Sequence, residues 1–417
     1  MEWFRTEVIT SPAVRVSLVI ISVVLLEIAA TLTLVPLTNR QRVASTDFVN
    51  FYVGASIVHA GHGAELYRRE VQDAAFKSIL GHASTQYFLH PAFEAALFAP
   101  MTRLSLERAF ILWSLINVGL LGILPVILMY CIPLVGARPY LGQLGFCFLP
   151  ALVAMVLGQD SALLLFVISS SYLLIRKEKE VSAGLVLSLA TIKFQYVLIL
   201  VPLLLLSRKM RVGAGFGLGC AFLGIVVSLI TGLGGLMEYF GFVRSFEAHS
   251  GYGGLNPTLM VNVRGFLAGI GETAHSSFFV VAGGIALFGL GVVASRTARD
   301  ASKFGLTFAL YVTIALAAAP YAHFPDMTIL LLPLLLALDY VATVGMKSFL
   351  RKLICLCCLL MFVGPFLLLI FGGHYWWNSR IYLVFPVIVL FSLALASELY
   401  FQKIPRPVSI FTEEGLS

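Results

Sequence analysis

The chain has 417 residues, of which 59% are hydrophobic and 12% charged, with a mean hydropathy of +0.95 and a formal net charge of +7. Soluble domains carry about 25% charge, so the composition excludes a soluble globular protein. The basic residues lie in short clusters beside apolar runs, such as RKEKE, SRKMR and KSFLRK, the pattern of cytoplasmic anchors in a membrane protein and not of a nucleic-acid surface.

The first apolar run, about Val14 to Pro36, is too long for a signal-peptide core and is expected to remain as a first span. Residues 37–105 form a long loop, opening with TDFVNFYVGASIVHAGHGAELY. A helix over 47–60 places Asp47, Asn50 and Gly54 on one stripe. The glycine would leave room for a ligand beside the acid, and Phe48, Val49, Tyr52, Val53 and Ile57 would pack on the other faces. Asp47 then has two readings, an N-cap (as Thr46 also offers) or a functional acid. A charged amphipathic helix on the membrane surface is expected over GHGAELYRREVQDAAFKSIL. His90 precedes Pro91 and is expected to be extended. His59 and His62 lack a third local ligand and do not make a zinc site.

Further spans are expected over 106–134, 139–157, 161–176, 181–206, 212–232, 278–295, 303–319, 326–344, 351–371 and 380–400. A straight crossing at 181–206 would put SRKMR and every later basic cluster on the wrong side. It would also leave Lys193 in lipid, at a cost of at least about 2.5–3.5 kcal/mol. A bend at Lys193–Gln195 resolves both conflicts, because half-helices of roughly 18 Å are tolerated where they line a protein cavity. The chain then has about twelve segments, with both termini cytoplasmic. All eight histidines and Asp47, Asp160 and Asp326 collect on the outer side. Tyr375–Trp377 read as an interfacial aromatic belt. In the GQDS turn, Asp160 caps the next helix or joins a site. Lys193 calls for an anionic partner, with Arg264 and His323 as further cationic donors or as headgroup contacts. The six cysteines, including the CLCC run at 355–358, read as small core hydrophobes.

In order along the chain, DFVNFYVGA, GAELY, YFLHPAFEAALFAPMTRL, GQDSALLLF, LATIKFQYV, NPTLMVNVRG and PYAHFPDMTILLLPLL resemble family 87 of the glycosyltransferases. That resemblance implies an all-α polytopic membrane protein of the GT-C fold. It implies one integral membrane unit over 1–417, the catalytic acid in the 37–105 loop, and C-terminal spans and tail over 345–417. The sequence departs from the family at LHPA, where a tyrosine and two or more prolines are usual. It departs again at Lys193–Phe194, where lysine–proline is usual, and at Asp160, where a small polar residue is usual.

The resemblance implies that Asp47 is the general base, activating an acceptor hydroxyl against the anomeric carbon of a polyprenyl-phosphate sugar. Lys193, Arg264 and His323 would hold the departing phosphate without a metal or other cofactor. Substrate contacts would come from Asn50, Tyr52, Tyr67, His90, Gln159, Asp160, Gln195 and Asn256. The expected activity is inverting hexosyl transfer, mannosyl first, at the outer face of the cell membrane. Its partners would be the lipid-linked donor, a lipid or glycan acceptor and membrane lipid, with no nucleic acid. The rival readings are a transporter or flippase, since broken helices also build transport sites, and a structural membrane partner.

Overall fold

The computed structural model describes residues 40–82, 86–138, 141, 144–247, 256–271, 276–297, 300, 302–371 and 380–401. The expected first span, the aromatic cluster Tyr375–Trp377, three of the histidines and the basic tail lie outside those residues. Within them the structure is nearly all helical. Seven stretches are long and apolar enough to cross a membrane: Leu106–Leu128, Glu180–Leu206, Met210–Thr231, Ser277–Ser295, Phe324–Val344, Phe349–Phe371 and Ile381–Phe401. The protein is a multi-pass membrane protein.

The second of these stretches is not straight. Helix α1 (Glu180–Ser188) passes through a 3₁₀ turn, Leu189–Lys193, into helix α2 (Phe194–Leu206). The next helix, α3 (Met210–Thr231), starts beside the first residues of α1. There the Lys209 ammonium meets Glu180 Oε1 at 2.8 Å. A Cβ on Gly184 of α1 would strike the backbone of Val212 and Phe216, and one on Gly215 of α3 would strike Val181. The two helices therefore run side by side in the same direction at backbone contact, which small residues permit. Helix α2 must return between them, and the chain folds back at Lys193 as the charge pattern required.

The same alternation orders the rest of the chain. One end of the bundle carries Glu180–Lys209, Lys303 against the Leu399 carbonyl, and Arg351 on Glu398 at 2.7 Å. At the other end, the Trp113 indole donates to the Gly158 carbonyl at 2.9 Å and Gly269 packs against the Tyr382 ring. Asp47, Asp160, Lys193 and Asp326 all lie at this second end.

The loop before the Leu106 helix is folded and not merely draped. Helix α4 (Phe48–His59) is buried along most of its length, with Phe48, Phe51, Phe98, Phe110 and Trp113 in edge and stacked contacts. Each such aromatic pair contributes about 0.5–1.5 kcal/mol beyond its burial. Of the charged stretch GHGAELYRREVQDAAFKSIL, the part Arg69–Leu80 forms helix α5, anchored by buried Gln72 and Phe76. Gly54 does not leave space for a ligand, because a Cβ there would lie 2.6 Å from Phe88 Cγ. Gly158 has φ +67° and presses on Phe48 and Phe110, so the GQD turn needs a residue without a side chain. The six cysteines are free and wholly or partly buried.

Candidate active site

A cavity of about 350 Å³ opens at the second end of the bundle. Its polar lining includes Asp47, Asn50, Gln86, His90, Gln159, Lys193, Gln195, His323 and Asp326. Its aromatic lining includes Phe51, Tyr87, Phe194, Tyr239, Tyr321 and Phe324. Three chain reversals deliver the centre of this set: the start of α4, the GQD turn and the 3₁₀ break at Lys193.

Asp47 occupies the N-cap position of α4 yet makes no side-chain cap bond. Its Oδ2 instead accepts the Gln159 amide at 2.6 Å. Thr46 donates to the Val43 carbonyl, so it does not cap the helix either. Burial raises the Asp47 carboxyl above the usual carboxylate range, partly offset by the Gln159 hydrogen bond and the Lys193 charge. A carboxyl of this kind is suited to accepting a proton.

Lys193 is 7% exposed and already has carboxylate partners, unlike the free cation expected from the sequence. Its ammonium lies 2.7 Å from Asp160 Oδ1 and 2.5 Å from Asp326 Oδ1, and it donates to Gln159 Oε1 at 3.3 Å. Asp160, which the sequence offered as a helix cap, makes no cap bond and is spent on this pairing. A lone buried lysine is costly, and two carboxylates at hydrogen-bond distance offset that cost.

The NPTLMVNVRG and PYAHFPD segments meet in the opposite wall. Val261 N–H donates to the Ala322 carbonyl at 2.8 Å, and the Asn262 side chain donates to the Ala319 carbonyl at 2.7 Å. The Asn262 side chain also caps the helix Val263–Gly269, accepting from Gly265 N–H at 2.9 Å. This carries the Arg264 guanidinium over the Tyr321 ring at 5.4 Å, beside the cavity. His323 lines the cavity, its Nε2 buried without a hydrogen-bond partner, and burial lowers its pKa. It is therefore a neutral donor or acceptor and not a fixed cation.

The remaining expected residues divide. Asn50, His90, Gln159 and Gln195 line the cavity with Asp47. Tyr52 and Tyr67 do not; their hydroxyls donate to the carbonyls of Leu104 and His90 and fasten the loop. Asn256 is exposed and caps its own turn by accepting from Thr258 N–H. Sequence reasoning gave no site role to two acids, Asp326, which it placed only on the outer side, and Glu94, which it did not single out. Asp326, in the HFPD turn, pairs with Lys193 and accepts the His323 N–H at 3.0 Å. Glu94, fully buried, lies four residues after His90 with Oε2 2.7 Å from His90 Nδ1. The i, i+4 spacing in HPAFE was the signal that could have found it. His90, Glu94 and Asp160 bring ligand-type atoms within 4.8 Å of one another, a cluster not expected from the sequence. The close His90–Glu94 contact at 2.7 Å and the Lys193–Asp160 ion pair draw on the same atoms.

Residues 88–320 match glycosyltransferase family 87. The chain belongs to this family. No curated protein and no solved structure matches it. Family 87 membership makes the protein a membrane glycosyltransferase and sets aside the transporter and structural readings. The matched region holds the GQD turn, the Lys193 break and the NVRG helix; Asp47 precedes it and the HFPD turn follows it.

Proposed function

We propose that the cavity transfers a hexose, mannose first, from a polyprenyl-phosphate carrier to a hydroxyl of a lipid or glycan acceptor. The observation that carries this reading is the Asp47 carboxyl: it lines the cavity, its Oδ2 accepts the Gln159 amide, and burial raises its pKa. The acceptor oxygen attacks the anomeric carbon as the carbon–oxygen bond to phosphate breaks, and Asp47 takes the hydroxyl proton. One carboxylate suffices for a single displacement with inversion, because no covalent sugar–enzyme intermediate has to form.

The leaving phosphate belongs against the wall of His323 and Arg264. His323 Nε2 has no protein partner, and Arg264 stands beside the cavity over Tyr321. Lys193 supports the site by a different route, neutralising Asp160 and Asp326 and polarising Gln159. Its charge still reaches the cavity, where it favours the developing phosphate. We place this end of the bundle on the outer face, since RKEKE, SRKMR and KSFLRK gather at the other end. With the first apolar run the alternating helices then make twelve segments, in keeping with a GT-C fold.

The test is transfer by purified protein from radiolabelled polyprenyl-phosphate mannose to candidate glycolipid acceptors. Product formed by the wild type and lost in Asp47→Asn supports the reading. Full activity in Asp47→Asn sinks it.

A further inference from the structure

The chain around His90 is built to hold one orientation. The Gln72 amide clamps the backbone of Phe88 from both sides, accepting its N–H at 2.8 Å and donating to its carbonyl at 3.3 Å. Tyr239 and Tyr67 donate to the carbonyls of Leu89 and His90. The imidazole packs edge-on to Phe51 at 4.9 Å and lies 5.7 Å from the Phe88 ring. Its Nδ1 is turned to Glu94 Oε2 at 2.7 Å, with Asp160 Oδ2 at 4.0 Å behind.

We infer that Glu94 is a positioning residue that holds the proton of His90 on Nδ1, so that Nε2 faces the cavity and binds an acceptor hydroxyl next to the one Asp47 deprotonates. The carboxylate–imidazole contact fixes the tautomer, as a buried carboxylate does for the histidine of a hydrolase triad. His90 belongs to the Asp47 side of the cavity because its ring packs on Phe51 of α4, the helix that Asp47 opens, whereas His323 pairs with Met260 in the opposite wall. The acceptor class this fits presents two neighbouring hydroxyls, as a sugar or polyol ring does. The inference rests on the assignment of Asp47 as base.

Two measurements test it on the full-length protein in nanodiscs. The first is ring-¹⁵N NMR of histidine-labelled protein, with the His90 signal assigned by its loss in His90→Phe. Wild type is expected to carry the proton on Nδ1, Glu94→Gln to keep it through its side-chain carbonyl, and Glu94→Leu to lose that preference. A bare Nδ1 in the wild type overturns the inference, even if Glu94→Leu fails to fold. The second is a KM and kcat series with octyl α-mannoside as acceptor and polyprenyl-phosphate mannose as donor. Glu94→Leu and His90→Phe should each raise the acceptor KM about tenfold, the size of one lost hydrogen bond. Donor KM should stay within about twofold, Glu94→Gln should restore most of the loss, and the double variant should be no worse than either single. Additive losses, or an unchanged acceptor KM in His90→Phe, overturn the inference. Asp47→Asn runs alongside: if it keeps wild-type kcat, the base assignment fails separately, whatever the His90 tautomer.

Discussion

Gln159 links the acid of one chain reversal to the lysine of another: its amide donates to Asp47 Oδ2 at 2.6 Å and its carbonyl accepts from Lys193 at 3.3 Å. The amide orients the carboxylate and carries some of the lysine's charge to it without a direct ion pair. An acid paired directly with a lysine would be a weaker base, and an acid without support would hold its proton.

That link predicts a pH effect. Burial raises the Asp47 pKa and the Gln159 hydrogen bond lowers it. A base works only when deprotonated, so activity falls as pH drops through the raised pKa. Gln159→Leu removes a lowering influence and should move the acid limb of kcat/KM to higher pH. A pH–rate profile checks this, and an unmoved limb would detach Gln159 from the base.

Asp47 and Asp160 should separate on substitution. Asp47→Asn loses the proton acceptor and should lower kcat by at least about 10²-fold with little change in thermal stability. Asp160→Asn removes one of the two carboxylates on Lys193 and should lower Tm with a smaller loss of kcat. Single-turnover rates and thermal unfolding in detergent give both quantities. The reverse ranking of rates would move the base to the GQD turn.

Helical content, the bend at Lys193 and the presence of Asp47 at a site were legible in the sequence because each follows from local cost. A lysine inside an apolar run demands shelter, and basic clusters that alternate wrongly demand a return. The partners were not legible. Lys193 is 133 residues from Asp326 in the chain, and Gln159 is 112 from Asp47. Such pairings depend on how helices pack, which periodicity does not encode. The misreading of Gly54 has the same origin, since Phe88 fills its notch from another segment.

Lys193→Met separates a supporting ion from a free phosphate ligand. Judged from the sequence, removing a membrane charge should leave the fold intact and only weaken donor binding. The structure reverses that expectation, because methionine would leave Asp160 and Asp326 buried without their cation. Breaking such a cluster costs about 3–5 kcal/mol. Lys193→Met should therefore unfold at clearly lower temperature, and Lys193→Met/Asp160→Asn should regain part of the loss. Equal Tm values for wild type and Lys193→Met would return Lys193 to the donor phosphate.

The fold-back itself has a direct test, and the outer-face assignment depends on it. Glu180 and Lys209 form an ion pair although 29 residues separate them in the chain. Both ends of the hairpin therefore lie on one side of the membrane, together with the turn before the Phe304 helix, since Lys209 also covers the Phe304 ring at 5.2 Å. Ser207 is a poor reporter here, being buried and hydrogen-bonded to Tyr311. Exposed Arg208 and Ser302 are better sites, and exposed His62 reports on the cavity end. In a background lacking the six native cysteines, Arg208→Cys and Ser302→Cys should react with an impermeant maleimide only after the inner face is opened. His62→Cys should react in intact cells. A straight 180–206 crossing would instead put Arg208 and the RKEKE turn on opposite sides. Labelling of Arg208→Cys in intact cells, with Lys179→Cys protected, would therefore overturn the fold-back and with it the single-sided active site.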